Sequence, residues 1–282
     1  MAKNDNLGDY LSDIADAIRA KKGTSEPINA QDFAGEIASI EGCGGYTIDE
    51  IARASLEGDF SFSVTGIKAY SFYNNSGITS VSAPDVTTIG NYAFYNCTGI
   101  KEINLPKIVS IGEYAFNTQL LTSIDLPECT SIGVQGIGKS PKMSSVNLPK
   151  VQTIGGSALT YITVTRLILP ECTSIGNSAL TNCSNLAYVD LPKCTSIVNY
   201  GLRNNGKLGT LILRSTTMCT LSNYALNSSL IWNKKGYVYV PRDLIESYQG
   251  ATNWKTVATQ FRALEDYTTD GTINGELDDT KI

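Results

Sequence analysis

Apolar positions along the middle of the chain recur on one fixed frame. A Leu-Pro pair returns at Leu105-Pro106, Leu126-Pro127, Leu148-Pro149, Leu169-Pro170 and Leu191-Pro192. Ala83-Pro84 precedes the series and Leu213-Arg214 follows it, and the steps are 22, 21, 22, 21, 22 and 22 residues. An Ile-Gly pair keeps the same phase at Ile89-Gly90, Ile111-Gly112, Ile132-Gly133, Ile154-Gly155 and Ile175-Gly176. A third marker falls in the slot of Phe94, Phe116, Leu159 and Leu180, with Phe72 one repeat earlier and Leu202 one repeat later. Three markers in register at a short fixed period are the signature of a repeat architecture.

The unit reads LxxIxLPxxxSIGxxAFxxCxx. In a frame such as Leu121 to Leu126, the last three positions alternate apolar, polar, apolar, which predicts a half-buried strand. Proline ends the strand because it cannot donate to the ladder. The glycine after the second isoleucine predicts a tight turn. The following Ala-Phe step puts a large side chain into the interior of each coil. One coil of this size cannot bury its own apolar face, so the coils must stack, and both ends of the stack must be closed.

This consensus resembles the BspA-like branch of bacterial leucine-rich repeats over about residues 58–230. The run Tyr237 to Tyr248, followed by Asn253-Trp254, resembles the segment that closes such repeats. The resemblance implies a leucine-rich-repeat solenoid of α/β type. Its expected form is a right-handed superhelix of about seven coils of 21–22 residues, with short N-terminal helices and a C-terminal cap. It also implies adhesion or interaction rather than catalysis, and it leaves the ligand open.

The ends differ from the middle. Leu7, Leu11, Ile14 and Ile18 make one apolar stripe, predicting a helix over about 7–21 that Gly23 would cap. Phe33, Ile37 and Ile40 predict a second helix over about 30–40, with Asn29 as its N-cap. Glu41 to Gly45 reads as a linker, and Thr47 with Glu50 forms a capping box for a third short helix to about Ser55. The expected organisation is a helical module (1–42), a linker and cap helix (43–57), the solenoid (58–230), a C-terminal cap (231–265) and a polar tail (266–282). The stretch from Leu11 to Ile40 is also similar to helical modules at the start of phage and prophage tail-associated proteins. That resemblance implies docking onto other virion proteins, and the alternative is a bacterial protein-protein interaction scaffold or cell-surface adhesin with no virion role. The same helices would equally serve to cap the first coil.

Composition narrows the chemistry. The net charge is −5, the wrong sign for a nucleic-acid binder. Residues 1–58 carry 5 basic and 11 acidic side chains, and residues 67–230 carry 11 and 7, so the net charges are −6 and +4. No stretch is apolar enough to span a membrane and no secretory leader is visible, so the expectation is cytoplasmic synthesis. Surface display would then come through a virion or another non-Sec route. There is no histidine, which removes the commonest general base and metal ligand. The carboxylates Asp125, Glu128 and Asp190 are too dispersed along the repeats to act as a pair. No catalytic residue, metal site or cofactor is expected.

Seven cysteines and no CxxC pair argue against both a disulfide framework and a zinc ribbon. Cys129, Cys172 and Cys194 share a slot with Val86, Ile108 and Val151, so they read as small buried apolar side chains. Cys97 and Cys183 share a second such slot, Cys43 lies in the linker, and Cys219 fits no slot. Asn96, Asn182 and Asn227, which head N-x-S/T sequons near the aromatic slot, read as turn residues rather than glycosylation sites.

The polar position inside each strand should face away from the core. Read coil by coil, it gives Ser82, Asn104, Asp125, Asn147, Ile168, Asp190, Ile212 and Tyr239. A neighbouring row runs Ser80, Glu102, Ser123, Ser145, Arg166, Tyr188, Thr210 and Tyr237. Tyrosine and arginine are the side chains that carry contact energy. Arg166, Tyr188, Asp190, Tyr237 and Tyr239 are therefore the candidate ligand-binding residues. The competing reading is that a neighbouring chain or the C-terminal segment covers Ile168 and Ile212. The expected partner is a protein or glycan on a bacterial surface, and a homo-oligomer is compatible with the pattern.

Overall fold

The structure, a computed structural model, describes residues 58–61, 65–116 and 119–266. The three predicted N-terminal helices, Cys43 and the tail beyond Asp266 lie outside the described residues.

Two strands in each coil build two parallel ladders. The first consists of two-residue strands that each place a buried Ile or Leu inward: Gly66–Ile67 (β2), Thr88–Ile89 (β4), Ser110–Ile111 (β6), Ser131–Ile132 (β8), Thr153–Ile154 (β10), Ser174–Ile175 (β12), Ser196–Ile197 (β14) and Thr220–Leu221 (β16). They form one eight-stranded sheet in chain order. The second ladder comprises Gly58–Ser61 (β1), Ile78–Ser82 (β3), Glu102–Asn104 (β5), Ser123–Asp125 (β7), Ser145–Asn147 (β9), Arg166–Ile168 (β11), Tyr188–Asp190 (β13), Thr210–Ile212 (β15), Tyr237–Val240 (β17) and Phe261–Ala263 (β18). It is divided into β1-β3-β5, β7-β9 and β11-β13-β15-β17-β18.

Two expectations change. The stack has about nine coils rather than about seven, because the ladder continues into segments that lack the Leu-Pro marker: β2 before it, and β17 with β18 after it. The return segments are turns rather than helices, so the molecule is a β-solenoid. Among the described residues the one α-helix is Ile245–Gly250 (α1), in the cap. The reason is conformational. A return segment carries residues in the left-handed region, such as Tyr92 (φ 59°) and Asn96 (φ 60°), and a right-handed helix cannot contain them.

The consensus glycines open the predicted tight turns, the Ala158 N–H donating to the Gly155 carbonyl at 3.2 Å, but they are not there for their φ. None of Gly90, Gly112, Gly133, Gly155 and Gly176 has a left-handed φ. A Cβ at Gly155 would sit 2.5 Å from the carbonyl carbon of Gly133 in the preceding coil. These glycines let successive backbones close on each other, and the left-handed residue stands two positions later.

The interior is one continuous apolar cluster from Ile67 to Phe261. Phe94 lies between Phe72 and Phe116, stacked at 4.9 and 5.0 Å. Such pairs are worth about 0.5–1.5 kcal/mol beyond simple burial. Cys97, Cys129, Cys172, Cys183 and Cys194 are all fully buried, as the exchange with Val and Ile implies for Cys129, Cys172 and Cys194. Burial pushes the Cys129 thiol up to about 11, and those of Cys97, Cys172 and Cys183 up to about 12.

The last coil is closed by an aromatic cap. Tyr248 on α1, Trp254 and Phe261 pack ring to ring at 5.3 to 5.7 Å. The Cys219 N–H donates to the Tyr248 hydroxyl at 2.7 Å, and the Trp254 indole N–H donates to the Cys219 carbonyl at 2.7 Å. The cap thereby satisfies two backbone groups that no further coil could satisfy.

Candidate binding surfaces

The strand face runs from open to closed along the stack. Asn104, Asp125, Asn147 and Ile168 are exposed, whereas Asp190, Ile212 and Tyr239 in the same row are buried. In the neighbouring row Glu102, Ser123, Ser145 and Arg166 are exposed, Tyr188 and Thr210 are buried, and Tyr237 is half-buried. The expectation of an open aromatic patch on the late coils is corrected accordingly. Of the five candidate residues, Arg166 lies open, Tyr237 is partly covered, and Tyr188, Asp190 and Tyr239 are buried.

The cause is local. After β18 the chain makes a 3-10 turn, Leu264–Asp266, that sets Leu264 against Tyr188, Ile212 and Tyr239 in a second apolar cluster, with Tyr237 at its margin. The reading that the C-terminal segment covers Ile212 is therefore the correct one. Ile168, two coils back, keeps 44% of its surface exposed. The Arg166 guanidinium lies over the Tyr188 ring at 3.9 Å, and the Arg262 guanidinium over Tyr237 at 4.2 Å.

Asp190 holds a buried ion pair. Arg214 Nη2 donates to Oδ2 at 2.7 Å, and its Nε lies 3.1 and 3.2 Å from the two carboxylate oxygens. The side chains are 5% and 11% exposed. Sequence order hid this partner because Arg214 stands where the Leu-Pro proline would be. The residues after the other prolines form an ordered column that pattern reading also missed. It alternates Asp85, Lys107, Glu128, Lys150, Glu171 and Lys193, with Lys-carboxylate contacts of 2.6 to 2.7 Å. These charges neutralise one another and favour one register of the coils.

The turn face carries the most exposed aromatic surface. Tyr70, Tyr92 and Tyr114 stack at 5.1 and 4.9 Å, all in the left-handed region. Tyr73 and Tyr95 stack beside them at 5.2 Å, and the two rows meet edge-on at Tyr92–Tyr95 and Tyr95–Tyr114. Tyr70 is 45% exposed and the other four are half-buried. Burial, then the neighbouring phenols Tyr114 and Tyr70, push the Tyr92 hydroxyl up. Gln135 ends the row by donating to the Tyr114 hydroxyl at 3.3 Å. A second stack, Tyr200 with Tyr224 at 5.6 Å, stands at the far end. Asn74 and Asn96 line the first array, joined side chain to side chain at 3.1 Å. Asn182 and Asn204 repeat that pair at 3.0 Å. These asparagines do occupy turns, but their amides ladder with each other. The array was legible in principle, because a tyrosine stands two residues before the interior marker at Tyr70, Tyr92, Tyr114, Tyr200 and Tyr224.

A stack of parallel coils with phase-locked Leu-Pro and Ile-Gly markers defines a leucine-rich-repeat solenoid. The description "BspA type Leucine rich repeat region" matches residues 65–172 and 109–233 in six copies, and the chain belongs to that family. No curated protein matches the chain. Among solved structures it is similar to a leucine-rich repeat protein from Bacteroides ovatus ATCC 8483, with 21% identity and a TM-score of 0.42 over 64% of this chain and 48% of that one. The chain thus spans about half the length of that protein. It is also similar to a leucine rich cell surface protein from Faecalibacterium prausnitzii A2-165, with 14% identity and a TM-score of 0.31 over 74% of this chain and 78% of that one.

Proposed function

We propose that this protein is a non-enzymatic binding module that engages a protein or glycan on a bacterial surface through its repeat surface. The tyrosine array of Tyr70, Tyr73, Tyr92, Tyr95 and Tyr114 carries this reading. Tyrosine offers large contact area with a polar tip and little rotamer entropy to lose, which is why it dominates contact sites. The alternating Lys-carboxylate column and the buried Asp190–Arg214 pair are committed to the fold. On the strand face Arg166 and Ile168 are the accessible remainder of the first candidate patch.

In this reading residues 1–42 are the attachment segment, which docks the solenoid onto a larger particle such as a phage or prophage tail and so delivers it to the cell exterior. The test is a panel of intact bacterial cells and immobilised glycans probed with the full chain. Tyr92→Asn and Tyr95→Ser remove rings, and asparagine tolerates the left-handed backbone at position 92. Loss of at least tenfold in binding by the double variant, with unchanged circular dichroism, supports the array. Unchanged binding removes it.

A further inference from the structure

Cys194 and Cys219 face each other across the last two coils, with the Cys219 thiol donating to the Cys194 sulfur at 3.8 Å. Both are fully buried and free. Their meeting follows from an irregularity in the repeat. Strands β4 to β14 begin at residues 88, 110, 131, 153, 174 and 196, and β16 begins at 220, so the last step is 24 residues where the others are 21 or 22. Thr220 pairs with Ser196, which places Cys219 in register with Thr195 rather than with Cys194. The inter-coil bond that Thr195 gives to the Thr173 carbonyl at 2.9 Å is made in this coil by Thr220, whose N–H reaches the Thr195 carbonyl at 2.8 Å. Cys219 instead gives its N–H to Tyr248 and its carbonyl to Trp254. In the two preceding coils Cys172 and Cys194 give that N–H to Leu169 and Leu191 of their own coils at 3.2 and 3.3 Å, so the cap replaces this bond while the Cys219 thiol meets its neighbour.

We infer that Cys194 and Cys219 are a disulfide site that staples the final coil to the solenoid when the protein meets a peroxide-type oxidant. In-register thiols on adjacent strands stand about 4.8 Å apart at the backbone and keep parallel side chains. A disulfide needs Cβ atoms about 3.5–4.5 Å apart and converging, and the approach of the two sulfurs to 3.8 Å is the observation that singles out this pair. The chemistry balances with hydrogen peroxide. The Cys194 thiolate attacks one peroxide oxygen, forming a sulfenic acid and releasing hydroxide, which takes up the proton that Cys194 had lost to become water. The Cys219 sulfur then attacks the sulfenic sulfur, the S–S bond forms, and the hydroxyl leaves as a second water carrying the Cys219 proton. Two thiols are oxidised and one peroxide is reduced. The hydrogen bond from Cys219 favours the Cys194 thiolate, whereas burial raises the thiols of Cys97, Cys129, Cys172 and Cys183. The hydrogen bond thus marks Cys194 as the attacking sulfur of the pair.

The test treats the full chain with hydrogen peroxide under native conditions, alkylates the remaining thiols in denaturant and maps unreduced peptides by mass spectrometry. The expected result is one cross-link, between the peptides that contain Cys194 and Cys219, with the loss of two hydrogens. Closing this loop should raise Tm by roughly 5–10 °C, and reductant should reverse the shift. Cys219→Ala and Cys194→Ala should abolish both effects, and Cys172→Ala should leave both intact. A Cys172–Cys194 cross-link, oxidation of Cys194 to a sulfinic acid in the folded protein, or recovery of both thiols fully alkylated would overturn the assignment. The wild-type map decides the matter even if a variant folds poorly.

Discussion

Asp190→Asn is the most informative single change. It keeps the side-chain shape and removes the charge that the Arg214 guanidinium faces through contacts of 2.7, 3.1 and 3.2 Å. With the side chains 5% and 11% exposed, water cannot replace the lost carboxylate. Two unit charges at contact distance interact by about 4 kcal/mol at the effective dielectric of protein sites. Removing one partner of a buried pair typically costs 3–5 kcal/mol because the other charge stays buried. Arg214 Nη1 is already buried without an acceptor, so the guanidinium has no spare partner to turn to. We therefore expect a loss of about 3 kcal/mol, read as a urea midpoint lower by about 1 M in far-ultraviolet circular dichroism. The double variant Asp190→Leu with Arg214→Met should recover most of that loss, since an apolar pair needs no counter-charge. Hydrogen exchange should quicken first in β13 and β15, which carry Asp190 and its neighbours. A loss under about 1 kcal/mol, or a double variant as unstable as the sum of the singles, would refute the reasoning. The exposed Lys150–Glu128 pair is the control, and Lys150→Ala should change stability by less than about 1 kcal/mol.

Three further outcomes follow from the packing. Phe94→Ala, at the middle of the Phe72–Phe94–Phe116 stack, should cost about 3–5 kcal/mol in denaturant unfolding, far above an exposed tyrosine of the turn face. Gly155→Ala forces a Cβ to within 2.5 Å of the Gly133 backbone and should cost about 2 kcal/mol without any change of φ, so a neutral result would refute the close-approach account. Stability should fall as pH rises above 9, because the thiols of Cys97, Cys172 and Cys183 ionise near 9 when unfolded but only at about 12 when folded. The folded state holds those protons longer, so the contribution is intact below pH 9 and drains by about 1.4 kcal/mol per pH unit per thiol above it. Cys97→Ala should flatten the Tm profile between pH 9 and 11.

The repeat itself was fixed by local chemistry. Apolar side chains at a constant period can be buried only by stacking, so Leu105, Leu126, Ile111 and Phe116 specify both ladders and the core without reference to distant residues. The exchange of Cys172 and Cys194 with Val and Ile announced their burial in the same way. Three things depended on coordinates. The number of coils required β17 and β18, whose sequences carry no repeat marker. The purpose of Gly155 required the position of the coil before it, because a close approach between backbones leaves the same letter as a turn. The fate of Tyr188, Asp190 and Tyr239 required the 3-10 turn that brings Leu264 back onto the strand face. Alternation within a strand says which side of the sheet a residue takes, but it carries no information about a segment that later folds over that side.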